Sequence, residues 1–125
     1  MKISVSVDLA NCMHVKLTRE LALRFLESII EIHGETRDLE EAVRLIAGFD
    51  EYYKSSQRKF EGYLAVPKDT SDAIRGRVIV HKIKLLLENR EKYVELVLDR
   101  RVSRELVARS LSQLGFSEAE FSPAT

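Results

Sequence analysis

The sequence predicts an α+β fold in which a single antiparallel or mixed sheet of about five strands packs against helices. Two segments, one at the N-terminus and one between residues 77 and 100, alternate polar and apolar residues with the two-residue period of a strand. Between them, apolar residues recur at the three- and four-residue spacing of amphipathic helices. Because the strand patterns are grouped instead of alternating with helices, they favour α+β over a doubly wound parallel sheet.

The chain of 125 residues is expected to form one domain over 1–125, because domains commonly run about 100–150 residues. Its 45% hydrophobic content is enough for a core without disulfides or metals. The apolar runs are far shorter than the ~18 residues that a membrane span needs, and Met1–Ala10 lacks the apolar stretch of a signal peptide. We therefore expect a globular domain with no membrane partner.

The N-terminus is predicted to form a β-hairpin. In Lys2–Asp8 the apolar residues occupy every second position, and the same alternation returns in Met13–Leu17. The polar break between the two segments is short enough for a turn, so the two strands should pair with each other.

A helical hairpin is predicted next, over 18–33 and 37–58. Thr18 is a favourable N-cap for the first helix, and Gly34 ends it because glycine enters the left-handed region without strain. Thr36 or Asp38 caps the second helix. The link between the two helices is about three residues long, which favours an antiparallel pair.

A strand over 60–66 and a polar loop over 68–76 lead to the most ambiguous segment, Arg77–Glu88. As a strand, this segment would pair with Tyr93–Asp99 in a long hairpin over 77–100, with His81 on the apolar face. A helix from residue 71 or 72 to 90 is the rival interpretation. Gly76 and the β-branched run Val78–Val80 favour the hairpin.

The C-terminal part predicts one more helix, over 103–114, with Ser103 as its N-cap and Gly115 after its end. The periodic pattern is lost beyond it, so a frayed end is expected over 117–125.

The composition indicates a reducing compartment, because the single cysteine, Cys12, cannot form an intramolecular disulfide. We therefore expect a cytoplasmic protein. The chain has four side-chain amides, and its charged residues make up 32% of the sequence. Few amides with dense charge of both signs are typical of thermophile proteins.

No catalytic or cofactor-binding set is recognisable. Cys12 and His14, with His33 or His81, are the residues nearest to a zinc set, but the repeated close spacing of structural zinc sites is missing. We therefore predict no metal, no cofactor and no catalytic residue. A small enzyme with an unrecognised site is the least favoured hypothesis.

A local excess of positive charge supports a second hypothesis, nucleic-acid binding. Residues 66–109 contain eleven basic and seven acidic residues, although the whole chain carries no net charge. Basic groups near a helix N-terminus can bind phosphates, and Tyr63 and Tyr93 offer rings for stacking. The candidate nucleic-acid-binding residues are Arg75, Arg77, Lys82, Lys84, Arg100, Arg101 and Arg104.

Apolar residues on the second face of the long hairpin carry the main functional hypothesis. A face too apolar to be left in water is typical of an interface, and a long strand also offers an edge for strand addition. We therefore predict a small non-enzymatic interaction module, an accessory or scaffold subunit that self-associates, as a homo-oligomer, or docks on a larger protein assembly. The predicted interface residues are Val78, Val80, Leu86, Tyr93 and Val97.

Overall fold

A computed structural model describes residues 1–123 of the chain, apart from the side chain of Phe60. It contains one mixed sheet and five α-helices, which confirms the α+β prediction. The sheet has six strands, one more than the five expected. They are β1 (Lys2–Val7), β2 (Met13–Thr18), β3 (Tyr63–Ala65), β4 (Val80–Glu88), β5 (Glu91–Leu98) and β6 (Glu118–Pro123).

The strands lie in the order β3-β4-β5-β2-β1-β6. Neighbouring strands are antiparallel except for β1 and β6, which are parallel. The two predicted hairpins, β1–β2 and β4–β5, are both present, and they meet where β2 pairs with β5. Two local pairings therefore build most of the sheet.

Five helices accompany the sheet, and the rival interpretation of a helix running to residue 90 is wrong. The predicted polar loop contains a short helix instead, and Asp69 caps it by accepting from the backbone N–H groups of Ser71 and Asp72. The helices are α1 (Arg19–His33), α2 (Arg37–Ala47), α3 (Phe49–Ser56), α4 (Thr70–Ile74) and α5 (Arg104–Ser112).

The second predicted helix, 37–58, is broken into α2 and α3 at Gly48. A Cβ atom on Gly48 would lie 2.9 Å from the ring of Tyr52, so glycine allows that ring to pack against the backbone. Tyr52 then accepts a hydrogen bond from Arg44, which fixes the angle between the two helices. The chain leaves α3 through a 3-10 turn at Phe60–Gly62 and enters β3.

The helices α1, α2, α3 and α5 pack on one face of the sheet and bury the core there. Their side chains Phe25, Ile29, Ile46 and Leu111 are fully buried. The opposite face, which we call the polar face, bears charged, hydroxyl and imidazole side chains along every strand from β1 to β5. None of the helices within residues 1–123 has both the length and the apolar character needed to cross a membrane.

A β-bulge at His81 changes which side chains of β4 point to the core, compared with the prediction. Val80 pairs with Leu98 and Lys82 pairs with Val97, so His81 is an extra residue in β4. Because of the bulge, Val80 points into the core, where strict alternation would place His81. His81 itself is exposed. The prediction that His81 lies on the apolar face is therefore wrong.

The end of the chain corrects a second prediction. The described part of the expected frayed segment 117–125 forms β6, which pairs with β1 over six residues. Ala119 and Phe121 pack against the core, and Glu120 forms an ion pair with Lys2 at 2.5 Å. The last two residues, 124 and 125, lie outside the described residues.

Candidate functional site

The long strand β4 is much longer than its outer neighbour. β4 has nine residues and β3 has three, and β3 pairs only with Lys82–Lys84 of β4. On this side, within residues 1–123, no residue of β4 beyond Lys84 is paired with another strand. We call Leu85–Leu87 the free edge of the sheet.

The turn between β4 and β5 fixes which backbone groups point to the free edge. Asn89 and Arg90 both have positive φ, 51° and 68°, which defines a two-residue type I′ turn closed by the pair Glu88 and Glu91. The residue before such a turn bonds to the partner strand, and every second residue along β4 does the same. The backbone N–H and C=O groups of Leu85 and Leu87 therefore point away from β5, toward the side of β4 on which β3 lies.

A groove lies directly beside the free edge. It has a volume of about 350 Å³ and is bounded by the end of α3, the 3-10 turn and residues 84–87 of β4. Tyr53, Ser56, Lys59 and Glu61 are among the residues that line it. Leu87, at the rim, is 48% exposed, one of four large apolar residues that are exposed within residues 1–123.

The polar face carries a chain of hydrogen bonds across four strands. Nε2 of His14 lies 2.8 Å from Asp8, and its Nδ1 lies 3.5 Å from Oε2 of Glu95. The hydroxyl of Tyr63 donates to the same Glu95 oxygen. The groups come from β1–β2, β5 and β3, so the network fastens the edge strand β3 to the middle of the sheet.

The network changes the proton affinity of its members. Partial burial and the hydrogen bond to the Glu95 carboxylate raise the pKa of Tyr63 well above its usual value. Burial alone would raise the pKa of Asp8, but the hydrogen bonds from His14 and from the backbone of Cys12 and Ala10 outweigh it and hold that pKa below its usual value. Tyr63 is thus kept protonated and Asp8 ionised, which suits a structural network.

Two lysines flank the ring of Tyr63. The Nζ atoms of Lys82 and Lys84 lie 4.3 and 5.3 Å from the ring centroid, within the range of cation–π contact. Further along, Nζ of Lys68 lies 2.8 Å from Nδ1 of His81. Partial burial of the ring, with Lys68 and Lys82 nearby, lowers the pKa of His81.

The structure places the predicted interface residues in two environments. Val78, Val80 and Val97 are buried, each at most 1% exposed, so they form no exposed apolar patch. Val80 enters the core because of the bulge, whereas Val97 lies on the polar face between His14 and Lys82 in the sheet register. Leu86, in the free edge, and Tyr93, its partner on β5, are both half-buried.

The predicted basic surface is divided as well. Lys82 and Lys84 share the polar face, but Arg77 lies beside His33, whose Nε2 is 3.0 Å from the Arg77 carbonyl oxygen. Arg101 forms an ion pair with Asp99 at 3.1 Å and donates to the carbonyl of Ala73. Of the remaining three arginines, Arg104 lies over the ring of Phe121, whereas Arg75 and Arg100 are exposed.

The candidate zinc residues Cys12, His14, His33 and His81 are not assembled into a metal site. In the part of the chain that the structure describes, no three His, Cys, Asp or Glu side chains are placed to hold a metal ion. Burial, together with the carboxylates of Asp8 and Asp99, raises the pKa of the Cys12 thiol. A thiol in this setting is a poor nucleophile.

Sequence reasoning missed which stretch of the long strand has a free edge, and it missed Glu95 as the centre of the polar network. The edge had one local signal, since Gly62 adopts φ +75° directly before Tyr63, where β3 begins. Glu95 had none, because its partners Tyr63 and His14 are 32 and 81 residues away in sequence.

Comparisons of the chain with protein-family models, with curated proteins and with solved structures found no match. The class of the protein therefore follows from its fold and site. It is a small α+β domain with a six-stranded mixed sheet, a helix-covered face, a polar face and a free strand edge.

Proposed function

We propose that this protein is an interaction module that binds an extended segment of a protein partner along the free edge of β4. The single observation that carries the proposal is the mismatch in length between β4 and β3, which leaves β4 unpaired beyond Lys84, with the backbone N–H and C=O of Leu87 pointing outward. Strand addition satisfies such groups with main-chain hydrogen bonds, and neighbouring pockets then select side chains.

The residues at the free edge support a binding role. Proteins commonly protect exposed edges with charges, proline, bulges or very short strands. The other end of the sheet follows this rule, because β6 carries Glu118 and Glu120 and ends at Pro123. The free edge of β4 instead consists of three leucines in a row, Leu85–Leu87.

The groove beside the edge supports a preference for an apolar residue in the partner. Side chains of an added strand point alternately to the two faces of the sheet. On the helix side they would meet Tyr53 and the rim residue Leu87, and on the polar face they would meet Lys84 and Tyr93. We therefore expect a partner sequence that alternates apolar with polar or acidic residues.

A peptide-display selection tests this proposal. Extended peptides selected on the wild-type protein should protect the amide of Leu87 from hydrogen exchange, and Leu87→Pro should abolish their binding because it removes an outward N–H. Leu87→Ala is the matched control, since it keeps that N–H, and it should retain most of the binding. Selected peptides that protect other amides, or that bind Leu87→Pro as well as wild type, would contradict the proposal.

Nucleic-acid binding is the second candidate function, and the position of Lys82 and Lys84 favours it. Neither lysine forms an ion pair with a carboxylate of residues 1–123, so both remain available for phosphates. Phosphate contacts make binding fall steeply with salt. If this function holds, single-stranded DNA should bind at low salt, and K82A with K84A should weaken binding more than R75A with R77A. Absence of binding at low salt would exclude it.

A cytoplasmic location is part of the proposal. The lone and poorly reactive thiol of Cys12 supports a reducing compartment. Fractionation of the source cells, followed by immunodetection, tests it directly.

A further inference from the structure

We infer that the start of β4 carries a binding site for the phosphate group of a small phosphate monoester, formed by Lys68, His81 and Lys82. This site lies at the opposite end of β4 from the free edge, so it does not depend on strand addition. The observations behind it are a direct contact between a lysine and a histidine, and two lysines that have no carboxylate partner among residues 1–123.

The contact between Lys68 and His81 leaves hydrogen-bond donors available. Nζ of Lys68 lies 2.8 Å from Nδ1 of His81. A lysine ammonium group only donates, so Nδ1 is the acceptor and the proton of the neutral ring is on Nε2. The structure gives this Nε2 no acceptor among residues 1–123. The pair therefore offers a ligand N–H groups from both side chains.

Local backbone contacts hold the two side chains together. His81 is the extra residue of the bulge, and bulges re-aim side chains beside functional sites. The N–H of Val66 donates to the carbonyl oxygen of His81 at 3.4 Å, and Pro67 restricts the backbone that follows. Asp69 then caps α4. Lys68 is thus anchored on both sides before a ligand binds.

The positive charges of the site are not neutralised by ion pairs. Neither Lys68 nor Lys82 has a carboxylate within ion-pair distance among residues 1–123. Nζ of Lys82 instead lies 4.3 Å from the ring centroid of Tyr63. A bound anion would supply the counter-charge that both lysines lack.

The imidazole of His81 responds to the same charges. Partial burial and the positive charges of Lys68 and Lys82 hold the pKa of His81 below its usual value. Asp99 and Asp8 act in the opposite direction, but both already accept hydrogen bonds from other side chains. A negative charge beside the ring favours its protonated form, so binding of an anion should raise this pKa.

The donors favour a phosphate monoester over other anions. Lys68, Lys82 and Nε2 of His81 supply donors for three oxygens, and a monoester has three terminal oxygens and close to two negative charges at neutral pH. A carboxylate has only two oxygens and one charge. A phosphodiester of a nucleic acid also has one charge and two free oxygens, so it would leave one donor unused.

NMR titration of the histidine rings tests the site in the full chain. At constant ionic strength, inorganic phosphate should raise the pKa of His81 by about half a unit or more. Acetate is the control, and at the same ionic strength it should raise that pKa much less. An equal rise with acetate would overturn the inference. So would the absence of a rise at about 20 mM phosphate, well above the ~1 mM Kd expected of such a site.

Charge-removing variants test which lysines belong to the site. Lys68→Gln and Lys82→Gln should each weaken phosphate binding by about tenfold, because each removes a charge-assisted hydrogen bond. Without phosphate, Lys68→Gln should also raise the pKa of His81 toward about 6.5. Lys16→Gln is the matched control on the same face, since Lys16 is paired with Glu88 at 2.7 Å, and it should change neither quantity. Equal effects of Lys16→Gln and Lys68→Gln would overturn the site.

A comparison of two phosphate sources tests the class of ligand. Glycerol phosphate, a small monoester, should raise the pKa of His81 as inorganic phosphate does. Single-stranded DNA without a terminal phosphate should have a smaller effect at the same phosphate concentration, and a larger one would overturn the monoester assignment in favour of nucleic acid. Peptide binding at Leu87 should be unchanged in Lys68→Gln, so this site and the proposed function stand or fail separately.

Discussion

The carboxylate of Asp38 and the backbone of Val80 are joined by a buried hydrogen bond across 42 residues of sequence, with Oδ2 of Asp38 2.8 Å from the N–H of Val80. The same oxygen accepts from Ile79 at 2.8 Å, and the other accepts from the hydroxyl of Thr36. Asp38 is fully buried. It therefore fixes the start of α2 to the start of β4, directly before the bulge that sets the facing of the long strand.

Replacing Asp38 should destabilise the fold strongly. Asp38→Ala leaves the buried N–H groups of Ile79 and Val80 without an acceptor, and each such group costs about 1–3 kcal/mol. We expect the free energy of unfolding to fall by about 3 kcal/mol in urea denaturation. Glu40→Ala, an exposed residue in the same helical turn, should change it by less than about 0.5 kcal/mol. Similar losses in both variants would contradict the buried role.

The backbone of His81 should matter more than its imidazole. His81→Ala removes an exposed side chain and should change the free energy of unfolding by less than about 0.5 kcal/mol. Deleting His81 removes the bulge, so Val80 would face away from the core and the hydrogen bonds to Asp38 would be lost. Burying a valine contributes about 1.5–3 kcal/mol, so we expect the deletion to cost more than about 3 kcal/mol with the hydrogen bonds included. A deletion variant as stable as His81→Ala would show that the bulge has no such role.

The turn at Asn89 and Arg90 offers a stabilising substitution. Arg90 has φ 68°, a conformation that glycine adopts without steric cost and that L-residues with a Cβ avoid. We expect Arg90→Gly to raise the free energy of unfolding by about 0.5 kcal/mol, after the extra freedom of glycine in the unfolded chain is subtracted. Arg90→Ala keeps the Cβ and serves as the control. A gain of the same size in Arg90→Ala would mean that the arginine side chain, and not the backbone, is responsible.

The phenol of Tyr63 should respond to Glu95. The hydrogen bond to this carboxylate and partial burial raise the pKa of Tyr63, so Glu95→Gln, which removes the charge, should lower that pKa toward the ordinary value of about 10. NMR of tyrosine labelled at Cζ resolves each phenol during an alkaline titration. Glu91→Gln is the matched control, because Glu91 raises the pKa of Tyr93 in the same way and should move that resonance alone. A Tyr63 titration unchanged by Glu95→Gln would exclude the contact.

Much of the local structure could be predicted from the sequence. Thr18 and Ser103 cap α1 and α5 as expected, and Gly34 ends α1 with φ 100°. The N-terminal hairpin, the long hairpin and the α+β class were also predictable. In each case the signal lies within a few residues, in side-chain period, capping hydroxyls or β-branched runs, so it does not depend on the rest of the chain.

The candidate site could be predicted only in part. The long strand as an edge for strand addition follows from its pattern, but which stretch of the edge is free depends on where β3 ends. Alternation predicts Val78 and Val97 at the surface, yet both are buried, and Val97 lies between His14 and Lys82 of the neighbouring strands. Alternation reports which face a residue points to, and not what lies above that face.

By itself the sequence determined the hairpins, the helix caps and the grouping of strands around a helical pair, because short-range periodicity and capping specify them. Tertiary structure alone decided the bulge at His81, the parallel pairing of β6 with β1, and the free edge at Leu85–Leu87. Each of these depends on contacts between segments far apart in the chain, such as that of Asp38 with Val80. Such contacts form only once the core has brought those segments together.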